Sequence, residues 1–366
     1  MSGTKRTILH LITGLSSGGG AETFLGRVLP RVTHHEPVVC SMRPPGDMSR
    51  KLEQAGVPVH SLHMTCKYDP GGILRYRQLL RDLQPDMQVH YLFHADVFGR
   101  VFGKLFGVPT VISFLRNKHQ GWLVRLAERC TLPLADGVLA NSRAVMDYYR
   151  KQYDLPDHTG VIPNGIPLPD RNLDTDYLYG EVVEEEDVVV TSVARLHPQK
   201  CLDTLINASA LLTDEISNIQ VLLVGEGEQR DELEALVSRL QLEDHVQLLG
   251  HRDDVYQILS VTDVFVLPSE KEGMSNALLE AMASALPCVV SDIPENAELV
   301  TDGVHGRTFR LNDADDLARQ ILDLSARPDL RTEYGTAARD RIESDHTIDA
   351  ILDTFERTMD RMDNTL

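Results

Sequence analysis

No stretch of this sequence is long and apolar enough to span a bilayer; its longest apolar runs, such as 221–224 and 264–267, have the length of a strand. The N-terminus, MSGTKRTILHLITGL, lacks a small-residue cleavage site and breaks its short apolar run with glycine, so it reads as a first core strand and not a secretory leader. Cysteine is sparse. Cys40, Cys66, Cys130, Cys201 and Cys288 are odd in number, scattered and never spaced C-x-x-C. That excludes a disulfide frame or zinc knuckle and leaves buried thiols in a reducing cytosol as the expectation. A positive balance is missing too: 36 Lys/Arg stand against 55 Asp/Glu, a net charge of −19. With no RNA- or DNA-reading motif, that argues against a nucleic-acid partner. Metal motifs are absent: no His-x-x-x-His pair sits on an expected helix, and His34 and His35 fall in an expected loop. Asp174-x-Asp176 and Asp313-x-Asp315 lie in acidic, loop-like sequence and read as solvated charge. The glycine-rich GLSSGGGAETF has no Lys-Ser/Thr for a Walker A loop. Its glycine spacing, and the lack of an acid after the second strand, also fail the dinucleotide fingerprint.

What is present is a steady alternation of short apolar runs with helical patterns, the signature of parallel α/β architecture. In the first half, strands are expected at 6–12, 36–40, 58–61, 87–91, 110–113, 137–140 and 160–162, and helices at 21–31, 48–55, 73–83, 95–106, 122–132 and 143–152. The pattern fails over 163–187, rich in Pro, Asn, Asp and Glu, which reads as a linker and an exposed approach to a second domain. It restarts with strands at 188–193, 220–224, 246–249, 264–267, 288–291 and 306–309. Helices follow at 202–212, 230–240, 255–261, 275–283, 297–300, 314–324, 331–344 and 347–362. The two halves read as similar open α/β domains, whose ligands belong at the carboxyl ends of the strands.

Charge is divided unequally between them. Residues 1–170 carry 20 Lys/Arg against 14 Asp/Glu, and residues 171–366 carry 16 against 41. The cations cluster at Arg100, Lys104, Arg116, Lys118, Arg125, Arg129, Arg143, Arg150 and Lys151. Two readings stand. One is an ordinary solvated face. The other is a surface that meets anionic headgroups, with Trp122 and Leu126 beside Arg125 and Arg129 at helical spacing.

The residues that can carry chemistry lie on three loops of the second half, each after an expected strand. In VARLHPQK, Arg195 ends a strand and Lys200 enters a helix; two cations there suit a diphosphate, whose charge grows as a nucleotide leaves. Taken alone, the pair could be surface charge. Gly225-Glu226-Gly227 is a tight turn that any strand-to-helix connection could want. In PSEKEGMSNALLEAMAS, Glu272 sits on a loop and Glu280, eight positions on, about one turn into a helix. The amides of Gly273, Met274, Ser275 and Asn276 stand at that helix start, where an anion is favoured. A phosphate between two hydroxyl-binding carboxylates suggests a nucleotide diphosphate joined to a sugar. In the first half, the turn at Gly18, Gly19 and Gly20 precedes a helix whose start could hold an anion.

Together these residues resemble the retaining glycosyltransferases of GT-B family 4, over nearly the whole chain. The resemblance runs through GGGAE at 18–22, the segments 85–113 and 136–145, VIPNGI at 161–166, VARLHPQK at 193–200, VGEG at 224–227, LLGHRDDV at 248–255 and the E-x7-E segment. It implies the GT-B fold, with two Rossmann-like, doubly wound parallel-sheet domains facing across a cleft. An acceptor-binding domain would span 1–167, a donor-binding domain 168–345, and a closing helix over 346–366 would cross back to the first. It implies that Arg195 and Lys200 bind the donor diphosphate, that Glu272 holds the sugar hydroxyls and that Glu280 binds the ribose. Gly19, Gly20, Gly225 and the 273–276 segment would contact the donor, and the backbone at His251 and Arg252 its base. Transfer would be metal-independent and keep the anomeric configuration, with the nucleotide-sugar as co-substrate and no other cofactor. The partners implied are a nucleotide-sugar donor and a glycan or lipid-linked acceptor; contact with an anionic membrane from the cytoplasm rests on the second reading of the cation cluster.

The chain departs from the family's pattern in places. Arg116 and Asn117 stand where relatives often carry His-Asn, and would contact acceptor or sugar. His94 is then the best candidate for the family's cleft histidine, beside a purely structural reading. Cys201, Ala285 and the 294–296 turn replace glycines, and Pro167 replaces an aspartate. Two further classes remain open at this point: a nucleotide-sugar-binding protein without transfer activity, and a GT-B epimerase or phosphorylase.

Overall fold

The computed structural model describes residues 5–364 apart from 17–18, 67–68, 119–120 and 171–172. The chain divides into two compact units, one formed by Met1–Gly165 with Ile348–Leu366 and the other by Ile166–Thr347.

In the first unit the strands are β1 (Arg6–Ile12), β2 (His35–Ser41), β3 (Val59–Ser61), β4 (Met87–Tyr91), β5 (Thr110–Leu115), β6 (Gly137–Ala140) and β7 (His158–Val161). They lie in the order β3-β2-β1-β4-β5-β6-β7, every pair parallel. The chain steps outward from β1 to β3 and then returns to lay β4 against β1. The β1/β4 boundary is therefore where crossovers reverse and a crevice opens at the strand ends. Side chains alternate between two cores. Ile8 and Ile12 join Phe24, Val89, Tyr91 and Phe114 on one face, while Leu9 and Leu11 join Val38, Tyr76, Phe98 and Val111 on the other. The helix Ile348–Asn364 completes the first of these cores with Ile351, Phe355 and Met359. Phe355 lies among the rings of His10, Phe24 and His35 at centroid separations of 5.7–6.1 Å. Glu356 on that helix accepts from the backbone N–H of Thr33 and His34.

In the second unit the strands are β8 (Val188–Val193), β9 (Ile219–Val224), β10 (Val246–Gly250), β11 (Val264–Leu267), β12 (Cys288–Ser291) and β13 (Gly306–Phe309). Their order is β10-β9-β8-β11-β12-β13, again all parallel, with the reversal between β8 and β11. The inner strands are buried on both faces, which is why they read as mainly apolar runs without a polar-apolar alternation. Val190, Val221, Val264 and Val266 meet the helices Leu202–Leu212 and Ala314–Ser325, while Phe265, Leu267 and Val290 meet the helix Asn276–Ala283.

Several expectations need correction. The helix expected at 297–300 occupies Pro294–Ala297, because Pro294 fits the first helical position, where its missing N–H costs nothing. The helix expected at 21–31 stops at Val28, and a 3-10 turn with Pro30 at its second position, Leu29–Arg31, follows. His35 is not in a loop but opens β2, buried. Part of the expected linker belongs to the second unit: Leu178 and Val183 pack with Val189, Leu222 and Val224. Two thiols expected to be buried, Cys66 and Cys130, are exposed.

The basic stretch is also not one solvated face. Arg100 is fully buried, with Nη1 2.6 Å from Glu128 and Nε 2.7 Å from Ser113. Arg116 is buried as well, and Lys104 is paired with Asp136.

Candidate functional site

The second unit gathers its functional candidates at the reversal of its sheet. β9, β8 and β11 are neighbours, and the three loops follow their carboxyl ends. The first two loops ride on one another. Leu196 N–H donates to the Glu226 carbonyl (2.9 Å), Gln229 N–H to the Leu196 carbonyl (3.1 Å) and Gly225 N–H to the Gly250 carbonyl (2.8 Å). Gly225 has φ +141°, and a Cβ there would lie 2.0 Å from the Ala194 carbonyl oxygen. Only glycine allows this approach.

Arg195 leaves β8 exposed, while Lys200 closes the short 3-10 turn Pro198–Lys200 and is half-buried. That turn carries Lys200 to the third loop, where its Nζ lies 2.5 Å from Glu272 Oε1. Glu272 is buried. The contact joins residues 72 positions apart, so it is a product of the fold and not of local sequence. Gln199 makes the join rigid: its carbonyl accepts from Glu270 N–H (3.0 Å), and its amide donates to the Lys271 carbonyl (2.6 Å). The loop is braced from behind, since Ser291 Oγ donates to the Ser269 carbonyl and Asn296 Nδ2 to Ser291. Gly273 is buried beside Glu272, and Met274 is half-buried. Ser275 caps the helix Asn276–Ala283, its Oγ accepting from Leu278 N–H at 3.3 Å. Glu280 is half-buried on that helix, one turn past Asn276.

Beyond β10, His251 is exposed, whereas Arg252 is held by Asp254 through Nε at 2.7 Å. Tyr177 Oη donates to the same carboxylate at 2.6 Å. The Arg252 guanidinium and Tyr177 hold Asp254 down at a pKa of about 2. The Arg252 side chain is thus committed within the loop.

In the first unit the candidates stand on both sides of its own sheet reversal. Gly19 and Gly20 follow β1, and His94 enters the helix Phe93–Leu105 after β4, half-buried and edge-on to Phe93 at 5.4 Å. Gly18 lies outside the described residues. Gly19 is the N-cap of the helix Gly20–Val28. Glu22, at the third helical position, folds back so closely that a Cβ on Gly19 would lie 2.0 Å from its carboxylate. Burial raises the Glu22 pKa, against its own backbone N–H and the charge of Arg116. Arg116, just past β5, donates to Asn164 Oδ1 (2.5 Å) and the Gly20 carbonyl (3.2 Å) and lies over the rings of Phe24 and Phe114. Burial brings its pKa down to about 10. Asn117 is exposed, and its carbonyl accepts from Tyr149 Oη at 3.4 Å.

Two contributors were missed in the sequence. Gln199 had no signal beyond standing next to Lys200. Glu22 had one: it closes the GGGAE segment, at the third position of the helix that Gly19 caps. No group of three or more metal-ligating side chains occurs among the described residues. No described helix is long and apolar enough to cross a membrane.

Comparison with known proteins agrees with this layout. Residues 180–341 match the family described as Glycosyl transferases group 1, and residues 2–165 match the Glycosyl transferase 4-like domain. The chain is 28% identical over 287 residues to the UDP-Gal:alpha-D-GlcNAc-diphosphoundecaprenol alpha-1,3-galactosyltransferase of Escherichia coli, covering 73% of each. It is 25% identical over 356 residues to the lipopolysaccharide core biosynthesis glycosyltransferase LpsE of Rhizobium meliloti, covering 96% of this chain and 94% of that one. Its fold matches that of Anabaena HepE, solved in complex with UDP and glucose, at a TM-score of 0.86 and 21% identity, over 97% of this chain and 100% of that one.

Proposed function

Because the chain belongs to the glycosyl transferases group 1, with the GT-B fold, we propose that it moves a hexose from a UDP- or GDP-sugar to a hydroxyl of a glycan or lipid-linked acceptor. The observation that carries this reading is the contact of Lys200 with Glu272 at the carboxyl ends of β8 and β11. A cation and a hydroxyl-binding carboxylate there match the two ends of a sugar diphosphate.

In this mechanism Lys200 and the exposed Arg195 take the diphosphate and stabilise the charge that develops as it leaves. Glu272, released from Lys200 by the incoming phosphate, accepts hydrogen bonds from the sugar hydroxyls. The 273–276 backbone supports sugar and phosphate, Glu280 takes the ribose hydroxyls, and the backbone at His251 and Arg252 meets the base. Gly225 keeps its loop low enough for the donor to lie across it, and Gly19 and Gly20 are also assigned to donor binding. The bond from the anomeric carbon to the diphosphate breaks with its electron pair leaving on phosphate. The acceptor oxygen bonds to that carbon on the same face and gives its proton to the departing phosphate oxygen, so configuration is retained. No metal enters these steps. His94 serves the catalytic centre, and Arg116 and Asn117 contact the acceptor or the sugar. By the names of the relatives, the pathway is polysaccharide or glycolipid assembly and the first donor to try is a UDP-hexose. The work is done in the cytoplasm, against an anionic membrane.

The test is incubation of purified protein with radiolabelled UDP- and GDP-sugars and a lipid-linked acceptor extract. Transfer by the wild type, with Glu272→Ala inactive yet still binding nucleotide in a thermal-shift assay, is the expected result. Wild-type turnover by Glu272→Ala sinks the assigned role. Donor binding without transfer to any acceptor favours a binding protein, and an isomerised sugar favours an epimerase.

A further inference from the structure

The helix Trp122–Thr131 in the first unit is turned by its buried contacts with Arg100, through Glu128 and Thr131. Glu128, its one acidic residue, points inward and holds Arg100 at 2.6 Å, and both side chains are fully buried. At about 100° per residue, fixing Glu128 and the buried Thr131 inward sets the direction of every other position. The opposite side then presents Arg125, Arg129, Trp122, Leu126, Cys130 and Leu123, in that order around an arc of about 160°. The exposures agree: Trp122 is 73% exposed, Leu123 60% and Leu126 52%.

This face is sorted by chemistry. One edge carries two arginines, neither of which pairs with a carboxylate among the described residues, and the other edge carries large apolar side chains. In a chain of net charge −19, the outward face of this helix bears only positive charge. A helix lying in a lipid interface has this design, with apolar side chains entering the acyl boundary and cations held at the headgroups. Anionic lipid complements both edges at once, with headgroup charge for the arginines and an acyl boundary for the apolar side chains.

We propose that the outward face of the helix Trp122–Thr131 docks on an anionic lipid bilayer, with Trp122, Leu123 and Leu126 entering it and Arg125 and Arg129 on its headgroups. This rests on the membrane reading above and names the surface that performs it. Glu128 acts through Arg100 to aim that surface.

Trp122 is the chain's single tryptophan, so its emission reports on this surface alone. The full chain is titrated with vesicles of phosphatidylcholine, and with vesicles of phosphatidylcholine mixed with phosphatidylglycerol. The expected result is co-sedimentation and a blue shift with the mixed vesicles only, both fading as salt is added. Arg125→Glu/Arg129→Glu and Leu123→Ser/Leu126→Ser should each weaken binding by at least about tenfold. Their urea midpoints should stay at the wild-type value. Unshifted emission with mixed vesicles, or binding indifferent to both double variants, overturns the proposal. So does a concentration-dependent doubling of mass that Leu123→Ser/Leu126→Ser abolishes, which would give the face to a second copy. Vesicle binding is read without donor or acceptor, so its failure leaves the transferase reading standing, and the reverse also holds.

Discussion

Lys200 and Glu272, from loops 72 residues apart, meet at 2.5 Å with most of both side chains out of water. A pair of this kind holds each charge ready and keeps it occupied until a stronger partner arrives. Glu272→Gln should therefore leave Lys200 free for phosphate and remove a negative charge from the diphosphate's neighbourhood. Titration calorimetry should show UDP or GDP bound several-fold more tightly by this variant, while transfer falls by at least about a hundredfold. Weaker nucleotide binding by Glu272→Gln contradicts the arrangement.

Gln199 is expected to govern how well that pair is placed. Gln199→Ala should raise the donor KM more than it lowers kcat, with Tm close to wild type. Gln199→Glu should be worse, because a carboxylate would then face the Lys271 carbonyl now 2.6 Å away. Equal kinetics for the two variants would remove Gln199 from the positioning machinery.

Gly225→Ala should destabilise the second unit and weaken donor binding at least about tenfold, since its Cβ would collide with the Ala194 carbonyl at 2.0 Å. Gly56→Ala is the control. Gly56 also has positive φ, +84°, but nothing lies within 4 Å, so it should lose only about 1–2 kcal/mol and no donor affinity. Urea unfolding and thermal shift with UDP compare the two.

Glu128→Ala should cost about 3–5 kcal/mol in urea unfolding, because it removes the hydrogen-bonded carboxylate partner of buried Arg100 and leaves only Asp96, at 3.7 Å. Replacing both partners by apolar residues, Arg100→Met/Glu128→Leu, should recover most of that loss. A double variant no better than the single one would show that the rest of the buried cluster, Asp96 and Ser113, sets the cost.

The first unit should weaken in acid. Burial lowers the pKa of His35 to about 4, against the opposing pull of Glu356 and Asp360, and lowers that of the neighbouring His10 well below the usual value. Between these values and the ordinary histidine value near 6.5, the unfolded chain binds more protons than the native one. The His35 contribution is thus full above about pH 6.5 and lost as pH falls toward about 4, amounting to about 3 kcal/mol. The Glu356 carboxyl, held down by the Thr33 and His34 amides against burial, adds loss in the same direction in more acid solution. Phe355→Ala should move the transition to higher pH, since it opens the cavity around His35; Tm against pH measures both effects.

Where local chemistry sets structure, the sequence was readable. β11 and β12 are short, mainly apolar runs buried on both faces, and their expected limits match the observed ones to the residue. The parallel α/β class and the family follow from that alternation and from motifs on the loops. Partners brought in from far along the chain were not readable. Arg100 looked like one more surface cation because Glu128, which buries it, lies 28 residues away. His35 looked like a loop histidine because the ring that covers it, Phe355, arrives with the last helix. The carboxyl-end loops could be ordered from the sequence, but the clamp made by Gln199 depends on a strand crossover that no spacing records.

That last helix has a consequence for how the protein is made. Ile166–Thr347 is one uninterrupted stretch, whereas the other unit is assembled from segments on either side of it. On a ribosome, the second unit is fully synthesised while the first still lacks Ile351, Phe355 and Met359. Until those residues emerge, the half-finished sheet keeps Phe24 and its neighbours uncovered. The order of maturation is therefore the reverse of the order of translation, and a stop codon before residue 348 would spoil the part of the protein that was made first.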